Sequence, residues 1–255
     1  MSHFNKYSVY YDLLYKDKNY QAEADFVYNI LQKYNTNIKS LIEFGSGTGK
    51  HAELFAQKDI AVHGVDLSQE MVNQSLLRKK SSATPSLLNF QVGDVRTAKL
   101  NVKADALISL FHVMSYQTKN EDLEMTLKNA KSHLNNDGLL FFDFWYGPAV
   151  LKVLPEYRER TMENDAYRVF RKAKPVHHVN QNIVDVKFEV EIQDKKSGTQ
   201  EYLEEVHPMR YLFLPELEYF LQKTGFKILE TGEWLKSNSA PSNDSWGVYL
   251  VAKAN

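Results

Sequence analysis

The chain contains no cysteine among its 255 residues. Disulfide bonds, thiolate metal sites and a cysteine nucleophile are therefore excluded. The net charge is only -1 at pH 7, so there is no broad positive field to bind a polyanion, and we expect no nucleic-acid partner. Apolar runs of membrane-spanning length and a signal-peptide pattern are also lacking, which predicts a cytoplasmic protein without a membrane partner.

The composition is that of an ordinary globular protein, with 43% hydrophobic and 25% charged residues. Helical and strand patterns alternate through the first 148 residues. Helices are predicted at 20–34, 50–57, 68–80 and 120–132, and strands at 40–44, 60–65, 88–92, 104–110 and 139–144. Strands separated by helices indicate a parallel sheet covered on both faces, which predicts an α/β, Rossmann-like, doubly wound fold.

The pattern changes after Pro148. The remaining predicted elements are strands at 167–172, 183–193, 199–213, 226–230 and 247–252 and a helix at 215–224. Alternating apolar and polar residues in the first three strands indicate an antiparallel β insertion. We therefore divide the chain into a core with an N-terminal cover segment (1–148), an insertion (149–213) and a segment that completes the core (214–255).

The strongest motif is Glu43-Phe44-Gly45-Ser46-Gly47-Thr48-Gly49, where a predicted strand turns into a predicted helix. Glycine tolerates unusual dihedral angles and lets a ligand approach the backbone, so three glycines in five positions indicate a loop around a cofactor. A dinucleotide-binding fingerprint requires a sixth-position glycine, where Lys50 stands, and no Gly-Lys-Ser/Thr closes a P-loop. A tight turn without a ligand is the alternative.

Two carboxylates follow the next two predicted strands. Asp66 lies about twenty residues beyond the loop, where an acidic side chain can accept hydrogen bonds from both ribose hydroxyls, as it also does in NAD enzymes. Asp94 ends the third strand and could instead cap a turn. Because open α/β sheets bind ligands at the carboxyl ends of their strands, the loop and both acids are expected at one site.

Together these residues resemble the E/D-x-G-x-G-x-G motif and acidic strand ends of the class I methyltransferases that depend on S-adenosylmethionine (SAM), and the resemblance covers nearly the whole chain. It implies SAM as cofactor and a seven-stranded sheet with an antiparallel C-terminal hairpin. It also implies that Asp94 accepts from the adenine amino group, with the Val95 amide at a ring nitrogen and Met71 against adenine. The predicted cofactor contacts are Tyr20, Glu43, Gly45, Ser46, Gly47, Gly49, Asp66, Leu67, Met71, Gly93, Asp94, Val95 and Leu110.

Further stretches resemble a subgroup, the nucleotide-sugar N-methyltransferases that dimethylate a deoxyamino sugar. They are Tyr11-Asp12-Leu13 with Asn19-Tyr20, Ser109-Leu110-Phe111 with Tyr116, and the strand end that contains Trp145. This resemblance implies a small-molecule acceptor and a homodimer. The insertion could shape the acceptor pocket or form the dimer contact.

The methyl group of SAM is already activated, so alignment and exclusion of water can supply much of the catalysis without a triad. An amine acceptor must lose a proton, which His112 or Tyr116 could accept. Contact of His112 with the cofactor is the alternative. Tyr11 is the third predicted catalytic residue, in a tyrosine-rich opening segment that either covers the cofactor or simply packs.

Aromatic residues follow the fifth predicted strand. Trp145 and Tyr146 could form a wall that attracts a cation, or they could pack in the core. No metal is expected, because adjacent His177 and His178 on a strand point to opposite faces. An NAD(P)-dependent oxidoreductase and a SAM-binding protein without turnover remain as alternative functions.

Overall fold

A computed structural model describes residues 13–255, and its strands run in two sheets. The strands are β1 (Ser40–Phe44), β2 (Ala61–Asp66), β3 (Leu88–Val92), β4 (Ala104–Ser109), β5 (Leu134–Trp145), β6 (Arg158–Glu163), β7 (Tyr167–His178), β8 (Ile183–Asp194), β9 (Gln200–Arg210), β10 (Phe226–Glu233) and β11 (Gly247–Ala254). The seven-stranded sheet has the order β10-β11-β5-β4-β1-β2-β3, and β6 to β9 form a four-stranded sheet in chain order.

Helices connect these strands. They are α1 (Tyr20–Gln32), α2 (Lys50–Ala56), α3 (Gln69–Ser81), α4 (Asn120–Ser132), α5 (Gly147–Lys152) and α6 (Leu214–Lys223). The side chain of Ser68 accepts a hydrogen bond from the Met71 amide at 3.3 Å, so Ser68 is the N-cap of α3. No helix in residues 13–255 combines the length and apolar character that a membrane span requires.

The strand pairing confirms the predicted doubly wound fold. Strands β1 to β5 run parallel, and β11 pairs antiparallel with both β5 and β10. The chain order reverses between β1 and β4, so the connections leaving these two strands diverge. A crevice at the carboxyl ends of these strands is the usual ligand site of such a sheet.

Both faces of this sheet are covered, as the apolar character of its strands predicts. Neighbouring residues of β5 show this, because Phe141 belongs to one apolar cluster and Phe142 to the other. The first cluster includes Val27 of α1 and Phe55 of α2, and the second includes Leu127 of α4. The buried sheet therefore holds its strand ends rigidly on either side of the crevice.

The four-stranded sheet differs from the predicted insertion in three ways. Strand β6 was not predicted, because five of its six residues are exposed and only Met162 is buried. Strand β7 continues beyond residue 172 through Pro175, which lies past the residues that pair with β6 and therefore need not donate a hydrogen bond on that side. The predicted strand at 199–213 is wrong at its end, since β9 stops at Arg210.

Strand β5 begins five residues before the predicted strand at 139–144 and includes residues Asn135 to Gly138. Pairing with β4 jumps from Ala104–Leu134 to Ala106–Leu139, so the four residues form a bulge between two registers. Asp137 has a φ of 61° there. Short helix α5 was also not predicted, because Pro148 was taken as the end of the core.

Candidate functional site

The glycine loop is fixed to strand β2 by backbone hydrogen bonds. The amides of Gly45 and Ser46 donate to the Val65 carbonyl at 2.8 and 3.0 Å. The Gly47 amide donates to Asp66 Oδ2 at 2.8 Å. The loop and the acidic end of β2 therefore form one unit, as their positions in the sequence predict.

Two of the glycines cannot easily be replaced, for different reasons. Gly45 has a φ of 73°, and an added Cβ would lie 2.3 Å from a methyl group of Val113. Gly47 has a φ of 53°, and nothing lies within 4 Å of an added Cβ. Because Gly47 borders a cavity, its open flank is where a ligand can approach the backbone.

The cavity has a volume of about 1170 Å³ and extends from the glycine loop to the four-stranded sheet. A single drug-sized ligand usually occupies roughly 300–1,000 Å³, so there is room for a cofactor and a second small molecule. The predicted residues that line it are Tyr20, Gly45, Ser46, Gly47, Asp66, Leu67, Met71, Asp94, Val95, Leu110, His112 and Tyr116. The predicted residues Glu43, Gly49 and Gly93 lie behind this lining.

Asp66 joins the loop to the start of α3. Its Oδ1 atom accepts from the Ser68 amide at 2.9 Å while Oδ2 holds Gly47. Burial raises the pKa of Asp66, and the two backbone donors act in the opposite direction. The carboxylate can accept further hydrogen bonds, because each oxygen has a second lone pair.

Asp94 makes the turn contact that the sequence leaves open as the alternative, and its contact with adenine stays a prediction. It lines the cavity, and its Oδ1 atom also accepts from the Arg96 amide at 2.9 Å, which caps the turn. The Arg96 guanidinium binds the same carboxylate and reaches Asp122 at 2.8 Å. The hydrogen bonds from Arg96 lower the pKa of Asp94, so this carboxylate is ionised at neutral pH.

Below the loop lies a buried polar cluster. Glu43 is only 1% exposed, and burial, together with the nearby charge of Asp66, raises its pKa to about 8. His51 contacts Glu43 Oε1 at 3.6 Å through Nδ1 and Glu23 at 2.8 Å through Nε2. These contacts connect β1, α1 and α2 on the two sides of the loop in sequence.

His112 occupies a strained turn after β4. Phe111 and His112 have φ angles of 65° and 63°, which cost non-glycine residues about 1 kcal/mol or more each. The His112 amide donates to Asp143 Oδ1 at 3.1 Å, and its Nδ1 atom lies 2.8 Å from Oδ2. Burial acts to raise the pKa of Asp143, but the contacts with His112 hold that pKa below its usual value.

The far end of the cavity contains residues that the sequence did not single out. Trp246 meets Trp145 edge to face, with ring centres 5.5 Å apart. Tyr116 Oη lies 2.8 Å from His207 Nδ1. Arg158, Arg171 and Phe188 of the four-stranded sheet line the same region. An aromatic wall is present, but Trp145 forms it with Trp246 and not with the predicted Tyr146.

One predicted aromatic residue, Tyr146, does not contribute to this lining. Tyr146 is absent from it and packs against Phe144 at a ring distance of 6.4 Å. Tyr11 lies outside the described residues. Tyr15, from the same tyrosine-rich segment, does line the cavity and contacts the Phe111 ring edge to face at 4.9 Å.

A family model described as a methyltransferase domain matches residues 41–138. The chain is also similar to the dTDP-3-amino-3,4,6-trideoxy-alpha-D-glucopyranose N,N-dimethyltransferase of Streptomyces venezuelae. The two are 24% identical over 220 residues, which cover 86% of this chain and 89% of the relative. The matched domain contains the glycine loop and both predicted acidic strand ends.

Solved structures share the whole architecture. A SAM-dependent methyltransferase from Clostridium acetobutylicum superposes with a TM-score of 0.83 at 20% identity, covering 100% of both chains. A SAM-bound amino pentose methyltransferase from Micromonospora echinaspora gives a TM-score of 0.73 at 19% identity, covering 94% of this chain and 93% of the other. The methyltransferase domain match and the curated relative support the predicted SAM-dependent methyltransferase with SAM as its cofactor, and the solved structures show its fold.

Proposed function

We propose that this enzyme transfers a methyl group from SAM to the nitrogen of a small amino sugar that is linked to a nucleotide. The observation that carries the proposal is the single cavity that joins the glycine loop to arginines and aromatic residues of the four-stranded sheet. Its size accommodates two ligands side by side. Transfer to an oxygen of a similar acceptor is the alternative.

The loop end of the cavity fits SAM. The open flank of Gly47 accepts close approach of a ligand, and the buried Ser46 hydroxyl has no hydrogen-bond partner among residues 13–255. Asp66 would hold the ribose hydroxyls, and Asp94 with Val95 and Met71 would hold adenine. When bound, SAM supplies a methyl group on a positively charged sulfur atom, which makes that methyl reactive toward a nucleophile.

The opposite end fits an anionic acceptor. Arg158 and Arg171 provide positive charge that suits a nucleotide diphosphate. Trp145 and Trp246 provide apolar surface and an attraction for a cationic amine. The curated Streptomyces venezuelae relative is named for an amino sugar linked to dTDP, which supports the same class of acceptor.

Catalysis is proposed to depend mainly on alignment inside the closed cavity. His112, held by Asp143, and Tyr116 are the described candidates to accept a proton from the acceptor. The predicted roles of Tyr11, the homodimer, the cytoplasmic location and the three-part division of the chain stay predictions. Light scattering during size-exclusion chromatography tests the dimer.

The test is methyl transfer from SAM to a matched set of acceptors, followed by mass spectrometry. The set contains dTDP-3-amino-3,4,6-trideoxy-α-D-glucopyranose, its 3-hydroxy analogue and the free amino sugar. We expect methylation of the nucleotide-linked amine and little reaction of the other two. Methylation of the hydroxy analogue alone would contradict the proposed amine acceptor. Titration calorimetry should detect binding of SAM and none of NAD.

A further inference from the structure

A buried polar chain connects the cavity to the four-stranded sheet. Tyr116 lies in the 3-10 turn Val113–Tyr116 that follows β4, and its Oη atom is 2.8 Å from His207 Nδ1. His207 Nε2 lies 3.0 Å from Glu205 Oε2. If Glu205 is ionised it can only accept a hydrogen bond, so His207 would donate to it from Nε2, and a neutral His207 would accept a hydrogen bond from the Tyr116 hydroxyl at Nδ1.

Tyr116, at the outer end of this chain, is its most exposed member. Tyr116 is 41% exposed, and it lines the cavity together with His207. Glu205 and His207 are each 8% exposed. The chain therefore runs from the reaction space into the protein interior.

In the middle of β9, around residues 205–207, the burial pattern is the reverse of an ordinary half-buried strand. Its inward positions carry Glu205 and His207, while Val206 between them is 56% exposed. Oε1 of Glu205 is buried without a hydrogen-bond partner among the described residues. Burying a carboxylate in this way is costly, so the pair is poorly explained by packing alone.

We propose that Tyr116, His207 and Glu205 form a path that removes the proton released by the acceptor nitrogen during methyl transfer. The proposal rests on the proposed amine acceptor. Tyr116 would be the catalytic residue, because it alone of the three would contact the acceptor. His207 and Glu205 act through it as positioning residues.

The transfer balances as follows. The nitrogen lone pair forms the new bond to the methyl carbon, and the electron pair of the breaking carbon–sulfur bond stays on sulfur. The nitrogen proton passes to Tyr116 Oη as the hydroxyl proton of Tyr116 passes to His207 Nδ1. Glu205 stabilises the resulting imidazolium, which later loses its proton to water.

The groups around Tyr116 favour its protonated form. Tyr116 is therefore expected to release its own proton only when it receives one from the acceptor. Burial raises the pKa of Tyr116, and Tyr15, Glu205 and Asp66 raise it further. Phe188 of β8 packs on the His207 ring at 5.0 Å and separates it from Arg171 of β7, whose guanidinium lies 4.7 Å from the Phe188 ring. Glu205 is thus the charged group in direct contact with His207 among these neighbours.

The first test compares Tyr116→Phe, His207→Asn and Glu205→Gln with wild type on dTDP-3-amino-3,4,6-trideoxy-α-D-glucopyranose. The side-chain amide of asparagine can form a hydrogen bond with the Tyr116 hydroxyl but cannot accept its proton. We expect kcat to fall about 100-fold in the first two variants and about tenfold in Glu205→Gln, with KM changed less than about threefold. The loss of kcat in His207→Asn should become smaller as pH rises, because hydroxide can then accept the released proton in place of His207.

His178→Asn is the matched control. His178 also pairs with a carboxylate in the four-stranded sheet, Asp185 at 2.9 Å, but it does not line the cavity. This variant should keep the wild-type kcat and pH profile. A wild-type kcat and pH profile in His207→Asn, or a loss confined to KM, would overturn the proton path.

A second measurement is independent of turnover. Nitrogen-15 NMR of the protein with S-adenosylhomocysteine (SAH) should show His207 neutral and protonated on Nε2 at mildly alkaline pH, and Tyr116→Phe should weaken that tautomer preference. An imidazolium, or a proton on Nδ1, would refute the path. If the wild-type protein methylates no acceptor in the set, the proposed function is wrong. The NMR measurement still tests the path, because it reports the protonation state of His207 without any turnover.

Discussion

The two ends of the cavity are built differently. At the loop end, backbone amides and one carboxylate set the shape, through bonds from Gly47 to Asp66 and from Gly45 to Val65 that span only about twenty residues of sequence. At the acceptor end, side chains from separate elements set the shape, as in the contact of Tyr116 with His207, 91 residues away. The loop end is therefore specified locally, whereas the acceptor end depends on how two sheets are placed together.

The two ends of the cavity should therefore be sensitive to different kinds of substitution. A change of backbone conformation in the glycine loop should impair cofactor binding. Changes of single side chains at the acceptor end should alter acceptor binding or rate and leave cofactor binding intact. The predictions below test that separation.

The largest effect is expected for Gly47→Leu. Gly198, in the turn between β8 and β9, is a matched control because it also has a positive φ, 73°, and open space around an added Cβ. Both leucines carry a similar backbone cost, but only the one at position 47 fills the cavity. We expect SAH affinity to fall about 1,000-fold, or about 4 kcal/mol, in Gly47→Leu only. Equal SAH affinities of the two variants, measured by calorimetry, would contradict binding of the cofactor at the loop end.

A smaller effect, on stability, is expected for His112→Ala. The variant leaves Asp143, 1% exposed, without the His112 Nδ1 atom that lies 2.8 Å from its Oδ2 atom. The free energy of unfolding should fall by about 3 kcal/mol at neutral pH, measured by urea denaturation. The double variant His112→Ala/Asp143→Asn should recover part of this loss, and full additivity of the two changes would contradict the pairing.

The free energy of unfolding that is lost in His112→Ala should depend on pH. The folded-state pKa of Asp143 lies below its usual value, so the wild-type pair adds stability above the unfolded pKa and loses it as pH falls through the folded pKa. In His112→Ala, burial raises the pKa of Asp143 instead. The difference between the two proteins should therefore shrink as pH falls toward about 4.

His112→Ala also tests the predicted role of this residue as a base. If His112 accepts the proton, methyl transfer should slow by about tenfold or more near neutral pH. An undiminished rate across the pH range would exclude that role. The result separates His112 from the path through Tyr116.

The smallest effect is expected for Arg171→Met. Arg171 lines the acceptor end, whereas Arg168 of the same strand is exposed on the opposite face and provides the control. KM for the nucleotide-linked amino sugar should rise about tenfold, equivalent to about 1.4 kcal/mol, with SAH affinity unchanged. Arg168→Met should match wild type in steady-state assays. A parallel loss of SAH affinity in Arg171→Met would show that the two ends are not independent.

The contrast between a locally built loop end and an acceptor end built from distant residues also explains which parts of the structure the sequence could predict. The sheet and the glycine loop follow from local patterns, since alternating strands and helices place Gly47 and Asp66 at neighbouring strand ends. Strand β6 could not be predicted, because its exposed residues Arg158 to Glu163 show no apolar alternation.

His207 and Trp246 were also missed at the acceptor end. Each is far in sequence from the residues it contacts in the cavity. One usable signal was present in β9, where Glu205 and His207 alternate with Val206 and Pro208. Polar residues in the register of the buried face can mark a site, but the face becomes known only once the sheet is placed.

The most direct test of the account is a crystal structure of the protein with SAH bound. We predict that SAH lies along Gly47, that its ribose hydroxyls hydrogen-bond to Asp66, and that the space beside Trp145 and Tyr116 stays open for the acceptor. SAH bound among the residues of the four-stranded sheet, with the flank of Gly47 unfilled, would contradict it.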